Sequence, residues 1–381
     1  MRAEEGAREA ARGIARARLA PTAAERDRAA SFPRAELQEL GRLGLMGLLV
    51  PEEWGGTGAD HHALAAALQE IAAADAVCAL IMASQNTLAN QMLLQFGTQE
   101  QKETYLRPFA RGEKLCAFAL SEADAGSDAF RLRTEARRSG DGYVLKGSKQ
   151  FVTAGRQCDF AIVIARTNES APNQSAFSAF IVDRRAKGYV AGRAEDTLGL
   201  RSSDSGQIHL DGLEISELAR IGPEGAGHSL VLAVLGRSRF AVAAQCLGIA
   251  RAAYETALRY SMERKTFGKQ IISHQAIAFR VADMALDLRA AELLVRDSAR
   301  LLDAGQAAEP ECSMAKLFAS EMAERVCREA MQILGGYGYS REFPVERHYR
   351  DARACTIYEG TSDIQRLLIS NAVVSRFERE P

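Results

Sequence analysis

Three stretches of different hydrophobic period divide the chain. Residues 1–113 carry Ala-rich apolar positions at helical spacing, as in His61–Ala74 and Asn86–Phe96. They are interrupted by Pro51-Glu52-Glu53-Trp54-Gly55-Gly56-Thr57-Gly58, a run of turn formers in which the single tryptophan reads as an aromatic plug at a loop base. From 114 to 224 the period shortens. Tyr143–Leu145, Phe160–Ala165, Phe177–Val182 and Gln207–Leu210 are short β-prone runs, with turns at Gly140-Asp141-Gly142 and Asp211-Gly212. Strands do not alternate with long helices there, which predicts a small antiparallel barrel or sandwich. From 225 to 381 long amphipathic patterns return. One covers His228–Arg264 and breaks near Gly268, a second covers His274–Leu302, a third runs from after Pro310 to Gly335-Gly336, and a last helix follows a Glu-Gly turn. Helices of this length running up and down predict a four-helix bundle. The expected fold class is mainly α with a central β-domain, in three domains: 1–113, 114–224 and 225–381. The Ala-rich faces could pack among themselves or between subunits.

Composition narrows the function classes. The 381 residues suffice for a sizeable core, and the formal charge of -1 gives no reason to expect nucleic acid or an anionic membrane. No apolar run looks long enough to span a bilayer. The Arg-, Glu- and Ala-rich N-terminus lacks the apolar segment of a secretory signal, and Glu4, Glu5 and Glu9 argue against mitochondrial import. Seven scattered cysteines without a Cys-x-x-Cys pair predict reduced thiols in a cytoplasm. The adjacent His61-His62 cannot share a helical face, and no metal site is predicted.

Five segments carry candidate chemistry. In Tyr358-Glu359-Gly360-Thr361-Ser362-Asp363-Ile364-Gln365-Arg366 a carboxylate sits on a Gly-containing turn. Thr361 is a candidate N-cap, and Ile364, Leu367, Leu368 and Val374 recur at helical spacing. A Glu held there can act as a general base, or it can be a solvated Glu beside a helix start. Leu120–Asp128 combines small residues with two serines, suited to a planar ligand or to a surface turn. Lys149–Gly155 ends a strand and places Phe151 and Thr153 two apart, hence on one face, as a platform for an isoalloxazine ring or as a half-buried sheet edge. Glu263–Lys269 puts cations at a helix C-terminus, where they complement the dipole or bind a pyrophosphate. Gln332–Gly338 imitates a dinucleotide fingerprint but closes a helix and follows no strand, so Rossmann binding is rejected.

Together and in this order, these segments resemble the acyl-CoA dehydrogenase family, from Pro51–Gly58 to Tyr358–Arg366. The resemblance implies a helical domain, a β-domain and a C-terminal four-helix bundle, assembled as homotetramers with one FAD per subunit. It implies that Phe118, Leu120 and Ser121 touch the flavin and that Phe151 and Thr153 pack its ring. It further implies that Arg264, Thr266, Phe267, Gln275, Gln332 and Gly336 bind the FAD of a neighbouring subunit, and that Thr361 and Asp363 add FAD contacts. Ser127, Arg239, Tyr358 and Gly360 would line the acyl-CoA path, and Glu359 would be the base. Glu359 would take the α-proton of a thioester while flavin N5 takes the β-hydride, giving a trans-2-enoyl thioester. A backbone N–H near Glu359 and a ribityl hydroxyl would hold the thioester oxygen. An electron-transfer flavoprotein would be the acceptor.

Two departures bear on this expectation. Some branches carry the base just before the matched arginine, where this chain has Ser238, which supports Glu359 as the sole base. Three residues before Arg239, where medium-chain members have Asp, stands Gly236, which leaves a carrier-protein thioester open beside CoA. An acyl-CoA oxidase, whose chains are typically longer, and a catalytically silent flavin-binding scaffold compete with the dehydrogenase expectation.

Overall fold

Short-range hydrogen bonding decides the first third of the molecule. The computed structural model describes residues 2–379; Met1, Glu380 and Pro381, the outer ends of the expected first and last domains, lie outside the described residues. His61–Ala74 is a helix with the expected bounds, started by Asp60, whose carboxylate accepts from the Ala63 N–H at 2.8 Å. The stretch expected as Asn86–Phe96 is a π-turn at Gln85–Ala89 that runs on into the helix Asn90–Phe96. The Asn86 amide is the local reason: it donates to the Leu45 and Met82 carbonyls and accepts from Leu48 N–H, so a buried polar group is fully paired. Trp54 is half-buried, with Lys102 and Arg107 each 5.8 Å from its ring centre, in keeping with a plug.

The middle third is one eight-stranded sheet. Its strands are β1 (Cys116–Ala119), β2 (Glu135–Ser139), β3 (Gly142–Val152), β4 (Phe160–Arg166), β5 (Phe177–Asp183), β6 (Tyr189–Ala194), β7 (Gly206–Ser216) and β8 (Arg220–Ile221). The order is β6-β7-β3-β2-β4-β5-β8, with β1 also beside β4. The sheet is antiparallel-rich, as expected, with two parallel contacts that the sequence did not suggest. Cys116–Ala119 pairs with Phe160–Val163, and Glu135 pairs with Arg166, so β1 and β2 lie end to end along β4. The chain between them, residues 120–134, leaves the sheet at that junction and carries the Leu120–Asp128 segment.

One geometric premise fails. Register shifts interrupt the β3–β7 ladder between Lys149 and Val152, Phe151 has φ 55, and Thr153 lies beyond the strand in a turn. Phe151 and Thr153 therefore do not share a strand face by simple alternation; the irregular ladder resets the pleat.

The last third contains the four expected long helices, Gly227–Glu263, Gln275–Asp303, Glu309–Leu334 and Ser362–Phe377, and one the sequence reading missed, Val345–Ala354. Contrary to expectation, Gly227–Glu263 holds an 18-residue window of mean hydropathy 1.5, apolar and long enough to cross a bilayer. Because 78% of that window is buried within the protein, it is the core helix of the bundle. It also packs on His61–Ala74: a Cβ on Gly248 would come within 2.4 Å of the Gln69 carbonyl, so only glycine permits this approach. On the outside, Phe279, Leu286 and Leu293 follow at intervals of seven and are all exposed, as are Leu367, Val373, Val374 and Phe377.

Candidate active site

Glu359 and Gly360 both adopt left-handed backbone conformations, φ 51 and φ 91, immediately before the Thr361 cap. The Thr361 hydroxyl accepts from Ile364 N–H at 3.3 Å and starts the helix Ser362–Phe377, as expected. The φ of 91 favours glycine at 360, and a Cβ there would also press on Gln365 Nε2 at 2.5 Å. Glu359 has no such exemption, and a non-glycine residue with this backbone carries about 1–3 kcal/mol of strain. Neighbouring donors hold the turn. Gln365 Nε2 reaches the carbonyls of Glu359 and Gly360 at 3.2 and 3.0 Å, and Lys316 Nζ donates to the Gly360 carbonyl at 2.6 Å.

The Glu359 carboxylate lies against the core helix. The hydroxyl of Ser238, wholly buried on Gly227–Glu263, donates to it. Burial pushes the Glu359 carboxyl above its ordinary range, while the Ser238 hydrogen bond and the Lys316 and Arg239 charges pull it back down without cancelling the rise. Burial likewise lowers Arg239, partly offset by the Glu359 charge. Arg239 donates to Ser313 Oγ at 3.0 Å, and its Nε is buried without a partner. The Tyr358 hydroxyl donates to Gln245 Oε1 at 2.7 Å.

The Leu120–Asp128 segment is anchored from below. Lys149, wholly buried, donates to the Leu120 carbonyl at 3.0 Å and to Glu122 at 2.8 Å. Burial lowers Lys149 to about 8. Burial alone would raise Glu122, but the Lys149 charge and the Thr134 and Arg133 donors outweigh it and hold it low. The Ser121 carbonyl accepts from Gln150 N–H at 2.9 Å, next to Phe151, which is 64% exposed. The structure thus gathers Leu120, Ser121, Phe151 and Thr153 at one corner of the sheet, with Phe118 leading in along β1; Ser127 lies exposed farther along the loop.

A second group gathers elsewhere. Arg264, Thr266, Phe267 and Gly336 line a cavity of about 710 Å³ together with Tyr260, Ile271, His274, Gly335 and Tyr337. Gln275 and Gln332 neighbour lining residues without lining it themselves. Phe267 is 95% exposed, and a Cβ on Gly335 or Gly336 would meet nothing. Arg264 makes no ion pair among the described residues, so a free cation faces an open glycine cradle, a donor set that fits a diphosphate. The second group gathers at the C-terminal end of the core helix. Gly227 abuts β5, whereas Glu263 leads into the cavity, about 38 Å of helix beyond Ser238. Asp363 is exposed, and the Thr361 oxygen accepts the cap hydrogen bond while its O–H donates to no acceptor among the described residues.

Several residues here escaped the sequence reading. Lys316 and Gln365 hold the turn, and Lys149 and Glu122 hold the loop. For Lys316 a signal existed: it falls on the buried stripe of Cys312, Ala315, Ala319 and Ala323, where a lysine is out of place. A second cavity, of about 480 Å³, is lined by three arginines, Arg131, Arg133 and Arg166, with one carboxylate, Glu135, and Phe130, Leu132 and Asn173. His61 and His62 both reach Asp303, at 2.5 and 2.8 Å, because one carboxylate lies between the two rings. Asp60, His62 and Asp303 offer ligand atoms within 4.8 Å of one another, a grouping the sequence did not suggest.

Comparison with known proteins agrees along the length of the chain. Sequence models of the acyl-CoA dehydrogenase N-terminal, middle and C-terminal domains match residues 2–113, 117–213 and 225–374. The caffeyl-CoA reductase–Etf complex subunit of Acetobacterium woodii is 41% identical over 352 residues, covering 92% of this chain and 93% of that one. The mitochondrial short-chain specific acyl-CoA dehydrogenase of Bos taurus is 41% identical over 97% of this chain and 90% of its own. The solved butyryl-CoA dehydrogenase of Megasphaera elsdenii superposes with a TM-score of 0.96 at 36% identity, over 98% of both chains. The chain belongs to the acyl-CoA dehydrogenase family.

Proposed function

We propose that this protein is an FAD-dependent acyl-CoA dehydrogenase that converts an acyl-CoA to its trans-2-enoyl-CoA, with Glu359 as the base that removes the α-proton. The observation that carries this reading is the desolvated Glu359 carboxylate, fixed on a left-handed turn and oriented by Ser238. A carboxylate is a weak base in water, and burial strengthens it. Ser238, Lys316 and Arg239 limit the rise. The Glu359 N–H, which donates to no protein acceptor among the described residues, is the donor we assign to the thioester oxygen. When bound, FAD supplies the hydride acceptor for the β-carbon. Leu120, Ser121, Phe151 and Thr153 would hold its ring, and Arg264, Thr266, Phe267 and Gly336 its diphosphate and nucleotide end.

The second set begins at the end of the core helix, about 38 Å beyond Ser238 and the Glu359 carboxylate, so in our reading a neighbouring copy completes each flavin site. The exposed apolar rows on Gln275–Asp303 and Ser362–Phe377 support a homotetramer whose subunit contacts they would form. We assign the electrons to an electron-transferring flavoprotein, in line with the Etf complex to which the Acetobacterium woodii relative belongs. The seven thiols are free and buried, which accords with a cytoplasmic location. Domain limits at 113/114 and 224/225 belong to the same proposal; the sheet runs from Cys116 to Ile221.

The basic cavity favours CoA over a carrier protein. Phe130 on its wall lies 4.1 Å from the His228 ring, tilted by 41°, at the start of the core helix, about 15 Å of helix before Ser238. That separation suits a pantetheine arm with a phosphorylated nucleotide among the arginines. A second reading, reduction of an aryl-acrylate thioester by the same groups in reverse, is favoured by the caffeyl-CoA reductase relative. Anaerobic mixing with acyl-CoAs from C4 to C16, branched and aryl-propionyl thioesters, and their pantetheine analogues tests both readings. Flavin bleaching by one saturated acyl-CoA supports the proposal, and no bleaching by any of them contradicts it.

A further inference from the structure

Among the described residues two lysines are wholly buried, and their surroundings differ in kind. Lys149 faces the Glu122 carboxylate at 2.8 Å, so its charge is neutralised in place. Lys316 forms no ion pair among the described residues; its Nζ donates to a single backbone carbonyl, that of Gly360, at 2.6 Å. Burial lowers Lys316 from its ordinary value and the nearby Glu359 carboxylate, which it does not touch, offsets this only in part, so an apolar side chain of similar volume would serve the core better. A purely structural role therefore gives no reason for a charge at this place.

What the charge does follows from where the carbonyl sits. Gly360 is the second of two consecutive left-handed residues, and the first is Glu359. Left to itself a non-glycine residue leaves that region, and with it the carboxylate would leave Ser238. Gln365, also wholly buried, grips the same two carbonyls from the following helix, so the turn is held from two sides.

We propose that Lys316 is a positioning residue for the Glu359 base, holding the Gly360 carbonyl so that the left-handed turn keeps the carboxylate aimed beside Ser238. It has a second consequence, because its positive charge favours the anionic form of Glu359. The groups that face that carboxylate are Ser238 and Arg239 on Gly227–Glu263, Lys316 on Glu309–Leu334, and the adjacent Tyr358. Cys246, Cys355 and Arg239 also lie near Lys316. Of these groups only Lys316 touches the turn itself. The inference rests on Glu359 being the base and adds the residue that holds it.

Two substitutions separate the clamp from the charge. Lys316→Met removes both while filling the space, and Lys316→Gln keeps an amide donor for Gly360 but loses the charge. Each is purified with its flavin and compared with the parent in anaerobic bleaching by the best thioester across pH. For Lys316→Met the expected result is parental or higher thermal stability, retained flavin, KM within about twofold and a bleaching rate lowered about ten- to hundredfold. Its acid limb moves to higher pH, since loss of a cation makes the carboxylate harder to ionise. Lys316→Gln should recover much of the rate while its limb stays displaced. Parental rate and limb in Lys316→Met would overturn the proposal. If that variant does not fold, Lys316→Leu, which also removes both clamp and charge, takes its place, and a parental rate and limb there overturn the proposal equally. Should the parent itself not bleach, the proposed function fails instead.

Discussion

The Ser238 hydroxyl donates to the Glu359 carboxylate, joining residues 121 positions apart. The core helix and the turn before the last helix thus meet at one oxygen. In the proposed reading, this serine orients the base.

Ser238→Ala should therefore move the pH profile. The hydroxyl stabilises the ionised form, so its loss raises the Glu359 pKa further and shifts the acid limb of the bleaching rate to higher pH. At a pH below the new limb the rate should drop about tenfold, on the scale of a lost hydrogen bond to a charged group. Stopped-flow bleaching at several pH values reads both effects. An unmoved limb would show that the hydroxyl does not bear on the ionisation of Glu359.

A raised carboxyl also costs stability. Glu359 is raised in the folded state, so the contribution linked to its protonation is fully present below the unfolded value, near 4.5, and is lost as pH rises through the higher folded value. Glu359→Gln removes that ionisation. Its melting temperature should exceed the parent's by about 1–3 °C at pH 7 and converge with it near pH 4. Calorimetry at the two pH values checks the sign; a variant less stable at pH 7 would contradict it.

Flavin retention should depend on a residue at the far end of the bundle. Arg264→Ala removes an unpaired cation from the open cavity, and a lost charge-assisted contact to phosphate costs on the order of 1.5–3 kcal/mol. FAD affinity should fall at least about tenfold, measured by fluorescence of released flavin on dilution. Parental affinity would remove Arg264 from the site.

The sequence showed the outline of this protein because long amphipathic periods and β-rich runs are local signals, and because Glu359, Gly360 and Thr361 are adjacent in the chain. Contacts between distant segments were not legible. Asn86 reads as one more helical residue until the Leu45–Gly47 turn is packed against it. The positive φ of Phe151 arises where the β3–β7 ladder shifts, and no residue type announces it. Val345–Ala354 escaped because its pattern is charged and short, with only Val345, His348, Asp351 and Ala352 buried. Lys316 was visible as a lysine on an apolar stripe, but its purpose depends on a carbonyl 44 positions away.

The central claim is that Glu359 takes the proton, and anaerobic stopped-flow bleaching of Glu359→Gln by the best acyl-CoA tests it most directly. Gln keeps the size of Glu but cannot accept the proton, and the residues assigned to the flavin lie in other segments. The variant should stay yellow, bind the thioester, and bleach at least about a hundredfold more slowly than the parent. Bleaching at the parental rate would mean that another group removes the proton.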